Sequence, residues 1–136
     1  MTNEMYFEKT FKITDENIKR FAKISGDNNP LHLSNKYAKN TIFKGRICHG
    51  MLIGSYISAI VGNDFPGIGT IYVSQNLVFK KPVRIDDDIT IRVSFVEPVK
   101  KNRVKLKITC KNQFGDIVVE GQAIVVPPAS FLKNLI

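Results

Sequence analysis

The chain has 136 residues, the size of one domain, and 43% of them are hydrophobic, enough to build a core and to argue against disorder. Its 20 Lys and Arg against 12 Asp and Glu give a formal net charge of +8 at pH 7, which suits nucleic acid, an anionic small molecule or plain solvated surface. No apolar run reaches the length of a bilayer span, and MTNEMYFEKTFKI lacks the regions of a secretory signal. Cys48 and Cys110 are too few for a disulfide framework, so the expectation is a cytoplasmic protein with no membrane partner.

Phe7 to Ile13 reads as a short edge strand. Thr14 and Asp15 then open a helix with acids in its first turn, and Ile18, Phe21, Ala22 and Ser25 repeat as one buried stripe. Gly26 suits a C-cap. The next stretch, SGDNNPLHL at 25–33, holds an acid and a histidine five positions apart. On one continuous helix Asp27 and His32 would point well away from each other, at about 100° per residue. Pro30 argues against that helix, because it lacks an N–H and pushes Asn29 out of the helical region. The stretch is therefore expected to be a turn, which can bring an acid and an imidazole onto one point. Ser34 then caps a short helix from Lys36 to Lys39.

Residues 49–62, HGMLIGSYISAIVG, carry no charged residue and three polar ones, His49, Ser55 and Ser58. They predict a central helix buried on all sides. Strands are expected over 69–79, 88–97, 103–112 and 117–126, with turns at Asp86–Asp88, Lys100–Asn102 and Gln113–Asp116. In the strand around VKLKITCK, Lys105, Lys107 and Lys111 lie opposite Val104, Leu106, Ile108 and Cys110, the pattern of a wet face. The charge is thus read as surface charge with some anion steering. Basic residues and aromatics are not interleaved as in a single-strand binder, so no nucleic-acid partner is expected. One long helix with several long strands is an α+β pattern, an antiparallel sheet folded over a helix.

Three segments in order, SGDNNPLHL at 25–33, GRICHGML at 45–52 and PGIGTIYVSQNLVFKKPV at 66–83, resemble the MaoC-like, R-specific enoyl-CoA hydratases of the hot-dog fold. The resemblance runs from about Ile13 to Pro127 and treats the whole of 1–136 as one such domain. It implies hydration of a trans-2-enoyl-CoA to an (R)-3-hydroxyacyl-CoA, or the reverse dehydration. That chemistry needs a base for the water, an acid for the α-carbon and a donor for the charge that builds on the thioester oxygen. Asp27 and His32 can hold one water and handle the protons. By resemblance the backbone N–H of Gly50, at a helix N-terminus, is the donor, with His49 beside it. The coenzyme A thioester is the substrate, and no metal or redox cofactor is expected.

Duller readings stand beside these. Asp27 can cap a turn, His32 can be a half-buried structural histidine, and Asn28, Asn29 and Pro30 fit turn chemistry alone. His49 either shapes the site or packs at the helix start. Ser58 lies near the acid in the family, or back-bonds to its own helix. Gln75 interrupts the apolar face of Ile71, Val73, Leu77 and Phe79 and lines either an acyl tunnel or a subunit interface. Ile53, Tyr56 and Ile57 are candidate tunnel walls. Lys80, Lys81 and Arg84 are candidates for a coenzyme A rim, and the cysteines read as small core residues. A hot-dog acyl-CoA thioesterase, or a non-catalytic acyl-CoA-binding module, is the alternative. The first commonly uses an acid on the central helix, absent from Met51 to Gly62, and the second has no need of Asp27 and His32 together. Long strands with an exposed edge call for a partner, so a homodimer or a multiple of one is expected.

Overall fold

The computed structural model describes residues 5–135. The order is β1 (Tyr6–Lys12), α1 (Asp15–Ser25), α2 (Pro30–Leu33), α3 (Asn35–Ala38), α4 (Gly50–Asn63), β2 (Ile71–Gln75), β3 (Val78–Phe79), β4 (Asp88–Val99), β5 (Arg103–Lys111), β6 (Ile117–Val126) and α5 (Ala129–Lys133). The strands form one antiparallel sheet in the order β1-β4-β5-β6-β2, with β3 also paired to β6. The α+β, hot-dog architecture read from the sequence is what forms.

Alternation drives the sheet. Ile89, Ile91 and Val93 of β4 and Val104, Leu106, Ile108 and Cys110 of β5 are fully buried. They join Leu52, Ile53, Ile57, Ile60 and Val61 of α4 in one core. Burying an aliphatic side chain of this size is worth about 1.5–3 kcal/mol, so this contact holds the helix on the sheet. Phe11 of β1 stacks on Tyr56 of α4 at 4.5 Å. Lys101 and Asn102 both take positive φ, as a tight β4–β5 hairpin requires. The cap of α1 is as expected: Thr14 Oγ1 accepts from Asn17 N at 3.1 Å, and Gly26 closes the helix at φ 81.

Four expectations change. The 69–79 strand is two pieces, because Asn76 pairs with Gln122 through its own backbone and side chain. Its N–H donates to Gln122 O (3.0 Å) and its Oδ1 accepts from Gln122 N (2.9 Å). The stretch at Pro30 does not end at a turn: Pro30 sits in the first turn of α2, where a missing N–H costs nothing. Ser25 leaves the buried stripe, since its hydroxyl donates to Phe21 O (2.7 Å) and accepts from Asp27 N (3.1 Å). Finally, α4 is not covered on all sides within one chain. Met51 is 59% exposed, and Ser55, Ser58 and Ala59 are also exposed, because a single sheet reaches only one side of a helix. The short α5 lay below the reach of periodicity; its Phe131 packs edge-on against Phe65 at 5.4 Å.

The break after β2 depends on Gly121, where a Cβ would run into the backbone of Asn76. Gly121→Ala is expected to cost about 1–3 kcal/mol, as overpacking does. Gly62→Ala, in α4 with nothing within 4 Å, is expected to stabilise by up to about 1 kcal/mol. Thermal melts of the two variants check this; equal melting temperatures would contradict it.

Candidate active site

Two chain segments build the site. The first is the Asp27–His32 turn. Asp27 Oδ1 accepts from Asn29 N (3.2 Å), and Asn29 Oδ1 accepts from Leu31 N (3.1 Å), so each side chain caps the backbone two residues on. Asn29 is the N-cap of α2, which places His32 one helical turn along. The second segment is Arg46–Gly50, the entry to α4.

Three side chain–backbone bonds and a ring contact lock the segments together. His32 Nδ1 lies 2.8 Å from Ile47 O and donates to it, since a carbonyl can only accept. His49 Nε2 donates to Asp27 O at 3.1 Å. Arg46 Nε donates to His32 O at 2.7 Å, while its Nη2 pairs with Asp15 Oδ1 at 2.6 Å, tying the turn to α1. The His32 and His49 rings lie 4.0 Å apart, and Phe21 meets His49 edge-on at 4.9 Å. These bonds set the tautomers: Nε2 of His32 is left for a water or a proton, and Nδ1 of His49 is buried without a partner. Asp27 is exposed, His32 half-buried and His49 buried.

The electrostatics follow from burial. Burial pushes the His49 imidazole below its usual value, and the neighbouring His32 adds to this, against the bond to Asp27 O. Burial thus favours the neutral form of His49. Hydrogen bonds from Lys19 and Arg46 hold the Asp15 carboxyl below the usual range. Burial pushes the Cys48 thiol up to about 12, so it is an inert wall.

A cavity of about 360 Å³ opens beside these groups. Asp27, His32, His49 and Gly50 line one side, and Cys48, Ile53, Phe79, Val83 and Val119 give it apolar walls. Gly50 is the first residue of α4, so its N–H has no acceptor within the helix. A Cβ there would overlap the Phe79 ring, which lies directly on it. Donor atoms of Asp27, His32 and His49 lie within 4.8 Å of one another. Among the described residues, this is also the group with the spacing to hold a metal ion.

The structure thus brings together Asp27, Asn29, His32, His49 and Gly50, with Lys80 and Lys81 also lining the cavity. Other expected site residues fall elsewhere. Arg84 is half-buried and donates through Nη1 to Gly45 O (3.3 Å), bracing the loop before α4 rather than lining the cavity. Ser58 lines a second cavity with Met51, Gly54, Ile57, Tyr72 and Gln75, because it sits on the open face of α4. Gln75 there donates to Asn76 O and Gln122 O. Of the three tunnel-wall candidates, Ile53 lines the site cavity, Ile57 the second one, and Tyr56 packs on Phe11. Arg46 and Asp15 were missed as supports; the only signal was an arginine just before an uncharged helix.

The MaoC like domain model matches residues 1–122. The (R)-specific enoyl-CoA hydratase of Rhodospirillum rubrum is 46% identical over 118 residues, covering 86% of this chain and 81% of that protein. A 3-hydroxyacyl-[acyl-carrier-protein] dehydratase of Arabidopsis thaliana mitochondria is 37% identical over 124 residues, 88% of this chain and 74% of that one. The unliganded structure of R-hydratase PhaJ1 from Pseudomonas aeruginosa superposes with a TM-score of 0.87 at 41% identity, covering 94% of this chain and 83% of that chain. With the turn, the helix entry and the sheet all in place, the chain belongs to the MaoC-like domain family.

Proposed function

We propose that this protein is an (R)-specific enoyl-CoA hydratase, adding water across a trans-2-enoyl-CoA to give an (R)-3-hydroxyacyl-CoA, and catalysing the reverse dehydration. The observation that carries the reading is the locked Asp27–His32 pair beside the N-terminal N–H of Gly50, all on one apolar-walled cavity. α4 carries no acidic residue, so the carboxylate for this chemistry comes from the turn.

In the proposed mechanism, the enoyl thioester lies along the apolar walls with its carbonyl oxygen at Gly50 N–H. One water sits between Asp27 Oδ2 and His32 Nε2, the two atoms left open by the bonds to Asn29 N and Ile47 O. The pair removes a proton from the water as its oxygen bonds to the β-carbon. The electron pair of the double bond moves toward the thioester oxygen, where Gly50 N–H and the helix dipole stabilise the enolate. The α-carbon then takes a proton from the same pair, so the site ends as it began. Atoms balance without a redox group or metal. Asn29 holds Asp27, and His49 holds the backbone of Asp27 and packs against His32.

Lys80 and Lys81 form the rim nearest the cavity. Each is paired, Lys80 with Glu120 (2.8 Å) and Lys81 with Asp116 (3.5 Å), so a phosphate must compete for them. The open face of α4 and the edge strand β2, with Met51, Ile71 and Val73 at 59%, 62% and 42% exposure, are where a second copy packs in a homodimer or a multiple of one. No described helix is long and apolar enough to cross a membrane, and both cysteines are unpaired, which supports a cytoplasmic site of action.

Purified protein mixed with crotonyl-CoA is expected to consume the enoyl-thioester absorbance and to yield 3-hydroxybutyryl-CoA of R configuration. No turnover, or the S product, would refute the reading. Gly50→Ala displaces the Phe79 ring across the oxyanion donor and is expected to lower kcat by about 10²-fold; unchanged kcat would remove Gly50 from that role. Sedimentation at micromolar concentration is expected to show a dimer or larger, and a species of only 15.3 kDa would rule the dimer out.

A further inference from the structure

The cavity wall that touches the oxyanion donor is an aromatic ring. Three atoms of Phe79, Cε1, Cδ1 and Cζ, lie 2.5–2.9 Å from the place where a Cβ on Gly50 would stand. The ring closes that side of Gly50, and no residue larger than glycine fits under it without moving it. Its backbone is pinned. Phe79 pairs with Val119 across β3 and β6, and the next two residues, Lys80 and Lys81, both donate their N–H to Val118 O, at 2.8 and 3.3 Å. Yet Phe79 stands outside the main core and is 51% exposed, while other side chains hold α4 on the sheet. A ring fixed at its root, set against the donor glycine and outside the core is placed to act on the substrate rather than on the fold.

In the proposed mechanism the thioester oxygen accepts from Gly50 N–H, and the β-carbon meets the water held by Asp27 and His32. The α-carbon lies between them. It is bonded to the carbonyl carbon and to the β-carbon, so its third substituent has one direction left to it. A carbon branching there is as close to the thioester as the β-carbon is. We propose that the Phe79 ring reads this third position: the site takes enoyl groups with hydrogen on the α-carbon and turns away those with a methyl group there. This rests on the hydratase reading and adds a limit on which acyl groups it accepts. The ring cannot give way toward Gly50, which it already touches. An α-methyl group therefore overpacks the site or lifts the thioester off the donor. Ile53, Val83 and Val119, the aliphatic walls, are left to meet the chain beyond the β-carbon. The reaction itself is unchanged.

The test compares crotonyl-CoA with trans-2-methylcrotonyl-CoA and trans-2-hexenoyl-CoA on wild-type protein and on Phe79→Ala and Phe79→Leu. One extra carbon set against an apolar wall is discriminated by about 10–200-fold, so wild-type kcat/KM is expected to be about 10²-fold lower for the 2-methyl substrate than for crotonyl-CoA. In Phe79→Ala the ratio of 2-methylcrotonyl to crotonyl kcat/KM is expected to rise at least about tenfold over wild type. Taking the ratio against wild type cancels the intrinsic difference in reactivity between the two substrates. Phe79→Leu keeps an apolar side chain should the Ala variant fold poorly, and is expected to give a smaller rise of the same ratio. The ratio of hexenoyl to crotonyl kcat/KM is expected to stay within about twofold in both variants, because the added length lies beyond the β-carbon. A wild-type protein that turns over the 2-methyl substrate as well as crotonyl-CoA would overturn the proposal, and so would a 2-methyl ratio that does not move in either variant. A hexenoyl ratio that rises as much as the 2-methyl ratio would make the change a general widening and overturn it too. Loss of turnover on every substrate in both variants would make the ring a support for Gly50 and not a selector. Wild-type inactivity on crotonyl-CoA would instead bring down the hydratase reading itself.

Discussion

The site depends on a turn being bolted to a helix entry. Asp27 and His32 lie on one segment, and Ile47, His49 and Gly50 on another. His32 Nδ1 to Ile47 O, His49 Nε2 to Asp27 O and Arg46 Nε to His32 O cross between them. Each bond uses a side chain of one segment and a carbonyl of the other, so the geometry does not rest on the flexible carboxylate. Every donor given to a carbonyl is also a donor satisfied; such a bond is worth about 0.5–1.5 kcal/mol between neutral groups and about 1.5–3 kcal/mol from a charged group such as the Arg46 guanidinium. The bonds also select one tautomer for each imidazole, so the lock that shapes the site also presents its chemistry.

The rest of the fold serves that lock. The sheet holds α4 through five buried aliphatic side chains, and Gly50, the first residue of α4, lines the cavity. Phe79, on the two-residue β3, covers Gly50, and β3 exists as a separate piece because Asn76 binds Gln122 instead of continuing the strand. The irregular part of the sheet is thus the part that lines the cavity, while β4 and β5 pair over nearly their whole length.

Much of this was legible in the sequence. Alternation in 88–97 and 103–112, the cap pair Thr14 and Gly26, and the uncharged run after His49 each correspond to an observed element, because each is a local pattern with one physical solution. Pro30 and the family motif around it pointed to Asp27 and His32 meeting, although Pro30 starts a helical turn instead of merely preventing a helix. Long-range side-chain choices were not legible. Arg84 bracing Gly45, Arg46 reaching both His32 and Asp15, and Asn76 breaking a strand all depend on a partner distant in the chain. Ser58 was misplaced for a related reason. Its spacing from His49 puts it on α4, but which side of α4 the sheet covers is decided by packing.

The central claim is that Asp27 and His32 act as one unit on one water. A double-mutant cycle with Asp27→Asn and His32→Gln, read as kcat on crotonyl-CoA with melting temperatures on the same preparations, addresses it directly. Each single change is expected to lower kcat by at least about 10²-fold, since positioned proton transfer is worth that much. The double change is expected to fall little further, because neither group works without the other. Melting temperatures are expected to move by only a few degrees, as a loss of about 1 kcal/mol does in a domain of this size. Single variants that keep most of their turnover, or losses that multiply in the double variant, would contradict the account.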